Sequence, residues 1–392
     1  MAVLALSLPG AYCGAQVPET RGVQRSAAAI TDIRVNDPAV MEARSTLLRR
    51  GEAELARGEL VAATDTFERA AMMLHAPDTE MGLVRASMQA GQYRRALAFC
   101  AHVAGAHLES GPAGALYAWL LRVGGQGEFA ERVLRETLDR LPQDPVALDV
   151  HRAFGSSAPV ASELLLRTPH RMAPQALMED GQPAVPSAAR VVSSGVLIGN
   201  GTMALVPSAV IRPGTTQAIW VRNGMGETTL ARADAATQPL EALGVTVLRL
   251  DAPLAADGTP APASRDPFAG SAGFAFEYAV QESTAPAWPW LSQGFFGGFL
   301  GDGGLRKLGI GMPASTYGGP VLDAAGRLAG MVLPGRGDEA AMLPASRWAD
   351  LLPEAASTRP SGGATARPGA PMPPDQAYEL GLRAALQVIA LR

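Results

Sequence analysis

Ser315-Thr316-Tyr317-Gly318-Gly319-Pro320-Val321-Leu322-Asp323, followed by Ala325-Gly326-Arg327-Leu328-Ala329-Gly330, is the stretch on which the reading of this chain turns. Gly-Gly-Pro marks a sharp turn. The apolar residues after it begin a short β-prone run, and Gly326 punctuates a second turn before the next run. The same rhythm extends outward. Short β-prone runs recur at 191–198, 202–206, 218–222, 245–250, 273–280 and 327–332, with turn residues between them. A last strand is expected at 341–343, running into a short helix at 345–352. Regular short strands with Gly-rich turns predict an all-β sandwich or barrel over residues 188–355.

Upstream, the pattern changes to helical. Asn36-Asp37-Pro38 places a cap residue before a proline at the first helical position. From there to about residue 155 no β-rich run occurs. A repeat runs through this region. Gly51, Gly58, Ala63, Phe67 and Ala70 precede Pro77; Gly91, Tyr93, Ala96, Cys100 and Val103 follow the same spacing, as do Ala118, Gly125, Ala130, Leu134 and Pro142. Phe67, Cys100 and Leu134 stand 33 and 34 residues apart. Small residues let two antiparallel helices approach, and the larger one fills the gap between neighbouring pairs. Asp144-Pro145 starts a closing helix. A period near 34 with this pattern resembles the tetratricopeptide repeat. The resemblance implies stacked helix pairs over 37–155 and a concave groove that takes peptide segments or helices. Residues 156–187, with five prolines and no sustained period, read as a linker. So does the Pro/Gly-rich stretch 356–374. A C-terminal helix is expected over 375–392, with Tyr378, Leu382, Ala385 and Ile389 on one face.

The 315–330 stretch resembles the nucleophile loop of trypsin-like serine proteases of the bacterial periplasmic type. That loop carries G-x-S-G-G-P, two hydrophobic residues and Asp, then a Gly-containing turn and a strand. It presents a serine hydroxyl and points backbone N–H groups at the developing oxyanion. Here Tyr317 stands at the serine position, so Ser315, Tyr317, Gly318 and Gly319 are read as the remnant of the oxyanion loop. Residues 194–205 resemble the family's opening hairpin, which leads to the general-base histidine. In this chain Val206-Pro207-Ser208-Ala209-Val210-Ile211 places Ala209 there. The family's aspartate opens a strand that corresponds to Gly244-Val245-Thr246-Val247-Leu248, so Gly244 stands at the third position. The resemblance implies an all-β trypsin-like double barrel stripped of its triad.

The residues agree without any alignment. The five histidines are His75, His102, His107, His151 and His170, none of them between 190 and 352. That region has no cysteine to act as a thiolate. Its one lysine is Lys307, about eight residues before Ser315. An ordinary phenol titrates near pH 10 and is ionised to about one part in a thousand at neutral pH, so an unassisted tyrosine is a poor nucleophile. In subtilisin-like enzymes loss of the triad costs on the order of a millionfold in turnover. The expectation is therefore a multidomain pseudoprotease: helical repeats followed by a degenerate double barrel, serving as a non-catalytic adaptor or scaffold. The competing reading is an endopeptidase with an atypical nucleophile or a base supplied in trans.

Other signals fall on one side or another. Gly199-Asn200-Gly201-Thr202-Met203-Ala204 matches a dinucleotide-loop pattern, but a β-prone run follows it where a cofactor site needs a helix, and Asn-Gly favours a hairpin. Trp288, Trp290, Phe295, Phe296 and Phe299 put five aromatics into twelve residues. They read as core of the second barrel half, or, with prolines and glycines giving loop character, as an exposed surface for a partner. A second partner surface is expected along a barrel edge at 318–321, where a peptide adds as a strand. No Cys/His spacing suggests zinc and no acidic loop has the calcium pattern, so no cofactor or metal is expected.

Composition bounds the rest. The chain has 392 residues, 47% hydrophobic, 18% charged, with 33 basic and 37 acidic side chains. A slight acidic excess with no basic domain argues against nucleic acid as a partner. No apolar run reaches a membrane span. Two cysteines cannot form a disulfide framework, and Cys100 lies in a helical apolar stripe. Residues 2–8 are apolar and Cys13-Gly14-Ala15 offers small residues for cleavage, so 1–15 read as a signal peptide although no Lys or Arg precedes the apolar run. That places the mature protein in the periplasm or outside the cell, with the cytoplasm as the alternative.

Overall fold

The structure is a computed structural model that describes residues 37–177, 184–211, 218–234, 238–279, 281–301, 304–312, 317–335, 339–349, 351–352 and 371–391. Among the described residues seven helices come first: α1 Pro38–Ala56, α2 Leu60–Met73, α3 Pro77–Gln89, α4 Tyr93–Ala106, α5 Gly111–Val123, α6 Gly127–Arg140 and α7 Pro145–Phe154. They form three antiparallel pairs and a closing helix. Within each pair the turn is made by a glycine in the left-handed region, Gly58 (φ +73°), Gly91 (+69°) and Gly125 (+80°), spaced like the repeat itself. The Phe67 ring shows why small residues recur at the crossings. A Cβ at Gly51 or Gly82 would lie 2.8 or 2.6 Å from it. Phe67, Cys100 and Leu134 are all buried, as their spacing predicts. Asp37 and Asp144 cap α1 and α7; Asp144 accepts from the N–H groups of Val146 (3.0 Å) and Ala147 (2.8 Å).

Residues 156–177 are not a free linker. Leu165, Met172 and Ala173 are buried, and the Leu177 N–H donates to Gly226 O at 3.2 Å. Apolar side chains spaced along an irregular segment are enough to lay it against the body of the protein, a pattern that carries no helical or strand period.

Two closed six-stranded barrels follow. The first has the order β1-β12-β3-β4-β5-β2, with β1 Ala189–Ile198, β2 Met203–Pro207, β3 Ile219–Asn223, β4 Thr228–Ala233, β5 Val245–Leu250 and β12 Ala385–Leu391. The second has the order β10-β11-β8-β7-β6-β9, with β6 Ala272–Glu277, β7 Trp290–Leu300, β8 Leu305–Ile310, β9 Pro320–Asp323, β10 Leu328–Pro334 and β11 Ala340–Pro344. Residues 199–201 make the turn between β1 and β2, with Gly199, Asn200 and Gly201 all at positive φ. The hairpin reading holds, and Val196 pairs with Leu205.

The C-terminal expectation needs correction. Helix α8 runs Pro374–Ala384 and stops; Ala385–Leu391 is a strand. It pairs with β1 (Val388 opposite Ser193) and with β3 (Val388 opposite Val221), and so closes the first barrel. The helical period in Tyr378 and Leu382 is real, but Leu386, Val388 and Ala390 also fit an alternating pattern. Pairing on both sides decides in favour of the strand. Residues 353–370, most of the expected second linker, lie outside the described residues, as do 1–36 with the expected signal peptide. Among the described residues no helix is long and apolar enough to cross a membrane.

Helix α8 also joins the repeats to the barrels. Tyr378 is fully buried, its ring 4.2 Å from that of Tyr93 on α4 and 6.4 Å from that of Phe276 on β6, and its hydroxyl donates to Pro289 O at 2.8 Å. Trp119 of α5 meets Trp290 of β7 at 5.7 Å between ring centroids.

Candidate functional site

Strand β2 ends at Pro207 and passes into a single 3-10 turn, Ser208–Val210. The Ser208 N–H donates to Gly244 O at 2.9 Å, and the hydroxyls of Ser208 and Thr246 lie 2.9 Å apart. Gly244, at φ +79°, leads into β5 through a conformation that favours glycine. Ala209 is exposed on the turn. From the second barrel, Tyr317 delivers the chain to Gly318 (φ +110°) and Gly319. The Gly318 N–H donates to Val332 O at 3.0 Å, the Val332 N–H to Gly319 O at 2.9 Å, and the Ser194 N–H of β1 to Tyr317 O at 2.9 Å. A Cβ at Gly318 would stand 2.1 Å from Ser194 O and 2.9 Å from Pro207 Cδ. The glycine loop therefore lies directly against the end of β2, so the regions of Ala209, Gly244 and Tyr317 meet at the seam between the barrels. Ser315 lies outside the described residues.

Ala209 and Gly244 carry no ionisable group. The half-buried Tyr317 packs against the second barrel's apolar core. All five histidines precede Arg190 in the sequence. Lys307 points elsewhere, its Nζ 2.5 Å from Glu339 Oε1 at the surface.

One ionisable group at the seam escaped the sequence reading. Glu277, at the end of β6, is fully buried, and its Oε1 accepts from the Gly319 N–H at 3.1 Å. Burial pushes its carboxyl up to about 8, opposed by hydrogen bonds from the Ser194 hydroxyl and the Gly319 N–H. The Ser194 hydroxyl in turn accepts from the Tyr278 N–H at 2.7 Å. The Glu277 Oε2 has no hydrogen-bond partner. A raised carboxyl is a feature of many catalytic acids, but this one faces the underside of the glycine loop and is sealed from solvent, so it holds the loop from below. Nothing in a strand ending Phe274-Ala275-Phe276-Glu277 marks that glutamate as buried; the neighbouring barrel covers it.

The aromatic cluster divides. Trp288, Trp290 and Phe296 are buried, as the core reading has them, so the alternative of an exposed partner surface fails for these three. From Trp290 on the segment is strand β7, paired with β6 and β8, and not a loop. Its glycines permit close packing: a Cβ at Gly294 would lie 2.1 Å from Gly309 O. Phe295 and Phe299 remain exposed, at 59% and 60%. The expected edge at 318–321 is also corrected. Val321 of β9 pairs with Ala275 on one side and Gly330 on the other, and a closed barrel leaves no row of free backbone groups there.

In the helical region, α2, α3 and α4 line a groove of about 710 Å³, with Val61, Asp65, Ser87, Arg95, Phe99 and His102 among its walls. Val61 is 79% exposed. Among the described residues, the group suited to hold a metal ion is His75, Glu80 and His107, also in the repeats.

The architecture is a helical-repeat region joined to two closed six-stranded antiparallel barrels. No protein-family model matches the chain, and no curated protein matches its sequence. Among solved structures the chain is similar to the MamO protease domain from Magnetospirillum magneticum in its apo form, at 18% identity and a TM-score of 0.33. The match covers 44% of this chain and 93% of that one.

Proposed function

We propose that the chain is a non-catalytic protein-binding adaptor, in which tetratricopeptide repeats capture a protein segment and a pseudoprotease double barrel serves as their platform. The observation that carries this reading is the seam itself. Two barrels bring a glycine loop against the turn after β2, and the resemblance to trypsin-like proteases sets Tyr317, Ala209 and Gly244 at the positions of nucleophile, base and orienting acid. A hydrolase needs a proton acceptor within about 3 Å of its nucleophile. Neither an alanine nor a glycine side chain accepts a proton. Retention of the frame without that chemistry fits a role in binding or support.

The groove between α2, α3 and α4 is the surface offered to the partner. It has apolar walls at Val61 and Phe99 and charged ones at Asp65 and Arg95, a mixture suited to an amphipathic segment. The N-terminal reading makes this an exported protein working in the periplasm or outside the cell. The test is binding of an arrayed peptide library by the full chain and by Val61→Arg. Val61 is exposed, so its replacement leaves the core intact. Peptides that bind the native chain are expected to bind the variant at least tenfold more weakly. Equal binding by both, or no peptide bound at all, counts against the groove.

A further inference from the structure

Repeat stacking places equivalent positions of successive helix pairs side by side. His107 is the C-terminal cap of α4, and His75 lies just past the corresponding end of α2. Their rings come within 4.9 Å of each other, centroid to centroid. Between them stands Glu80, from the first turn of α3, with its side chain almost fully buried. Its Oε1 lies 2.8 Å from His75 Nε2 and its Oε2 3.0 Å from His107 Nε2. The nearest donor atoms of the three side chains all lie within 4.8 Å of one another.

His107 makes a second contact, between its Nδ1 and Glu109 Oε1 at 3.3 Å. Both nitrogens of one ring thus face carboxylates. A neutral imidazole carries a single N–H and can donate to one of them. A second proton or a metal ion at Nε2 resolves this; with a metal ion there, the Nδ1–H is left for Glu109, which fixes the tautomer and orients the ring, as the outer carboxylate does in carboxylate–histidine–zinc arrangements. Two imidazoles and one carboxylate form a donor set suited to zinc, whose Zn–N and Zn–O distances of about 2.0–2.2 Å place tetrahedral donors roughly 3.3 Å apart. Binding an ion would draw the donor atoms, which lie within 4.8 Å of one another, in to that spacing. The side chain of His75 is 61% exposed, so a fourth position opens to solvent.

We propose that His75, Glu80 and His107 bind a divalent transition-metal ion of the zinc class, with Glu109 as a positioning residue, and that the ion staples the first helix pair to the second. This site is separate from the barrel seam and does not depend on the adaptor reading. The sequence hides it because the ligands are spread over 33 residues and share no short motif; only the repeat register brings them together.

The test is isothermal titration of the chelator-stripped full chain with Zn²⁺ alone, alongside thermal unfolding with and without the ion. One equivalent is expected to bind with micromolar affinity or tighter, and to raise the unfolding temperature. His75→Ala, at an exposed position that leaves the helices packed, is expected to weaken binding at least tenfold and to abolish the thermal shift. Glu109→Gln is expected to weaken binding by about tenfold. Absence of stoichiometric binding to the native chain, or unchanged affinity in His75→Ala, overturns the proposal.

Discussion

Ending the chain at Leu352 is expected to abolish cooperative folding of the first barrel, although that barrel begins at Ala189 and most of its strands precede Leu250. The residues removed include β12, which lies between β1 and β3 and hydrogen-bonds to both. Without it the barrel has two open edges. The loss of burial is of comparable weight. Tyr378, Leu382, Leu386, Val388 and Ile389 are essentially fully buried. At about 1.5–3 kcal/mol for each large apolar side chain, they account for roughly 10 kcal/mol, close to the whole stability of an ordinary domain. The damage does not stop at the first barrel. Tyr93 on the repeats and Phe276 on the second barrel both pack on Tyr378, and Glu379 holds both the backbone N–H (3.0 Å) and the Nε (2.9 Å) of Arg94. Denaturant unfolding followed by circular dichroism, with limited proteolysis, makes the comparison. The truncated chain should lose its main transition and be cut within residues 189–250. A truncated chain with the native midpoint and slope would show that β12 is an ornament.

Replacing Glu277 by Gln is expected to change how stability depends on pH. The folded protein holds this carboxyl near 8, whereas in an unfolded chain it sits near 4.5. Between those values the native state binds a proton that the unfolded state has released. Raising the pH through that window therefore removes stability: the contribution is fully present below about 4.5 and lost as pH passes about 8. The size is on the order of a few kcal/mol, because burial of an ionised carboxylate with one unpartnered oxygen is the main penalty. Glutamine fills the same space, keeps an oxygen for the Gly319 N–H and does not titrate. The variant should match the native chain near pH 5 and exceed it near pH 8.5. Taking the difference between the two proteins removes every other titrating group from the comparison. If the two stability profiles run parallel from pH 5 to pH 8.5, Glu277 is not the buried neutral acid described.

Local rules made much of the architecture legible in the sequence. The 33- and 34-residue spacing of Phe67, Cys100 and Leu134 reports a repeated packing problem, so the helix pairs could be read before any coordinates. The Gly-Gly-Pro turn and the Asn200-Gly201 hairpin are equally local. What escaped depends on long-range closure. Whether residues 385–391 continue a helix or form a strand is decided by β1 and β3, about 190 and 165 residues earlier in the chain. Glycines in β7 suggested a loop, yet they are there because Gly309 O and the Lys307 backbone press on that strand. Burial of Glu277 is created by the other barrel, and the meeting of His75 with His107 by repeat stacking. In each case the missing information was which distant surface covers the residue.

The central claim is that the seam between the barrels has kept its shape and lost its chemistry. Its most direct test is exposure of the intact, purified chain to a serine-reactive fluorophosphonate, followed by peptide mapping, with an active trypsin-like protease as the positive control. Labelling depends on an activated hydroxyl, which requires a base beside it. The prediction is no labelling of Ser208, Ser315 or Tyr317 above the level of the heat-denatured chain. Stoichiometric labelling of any one of them, lost on its substitution by alanine, would contradict the account.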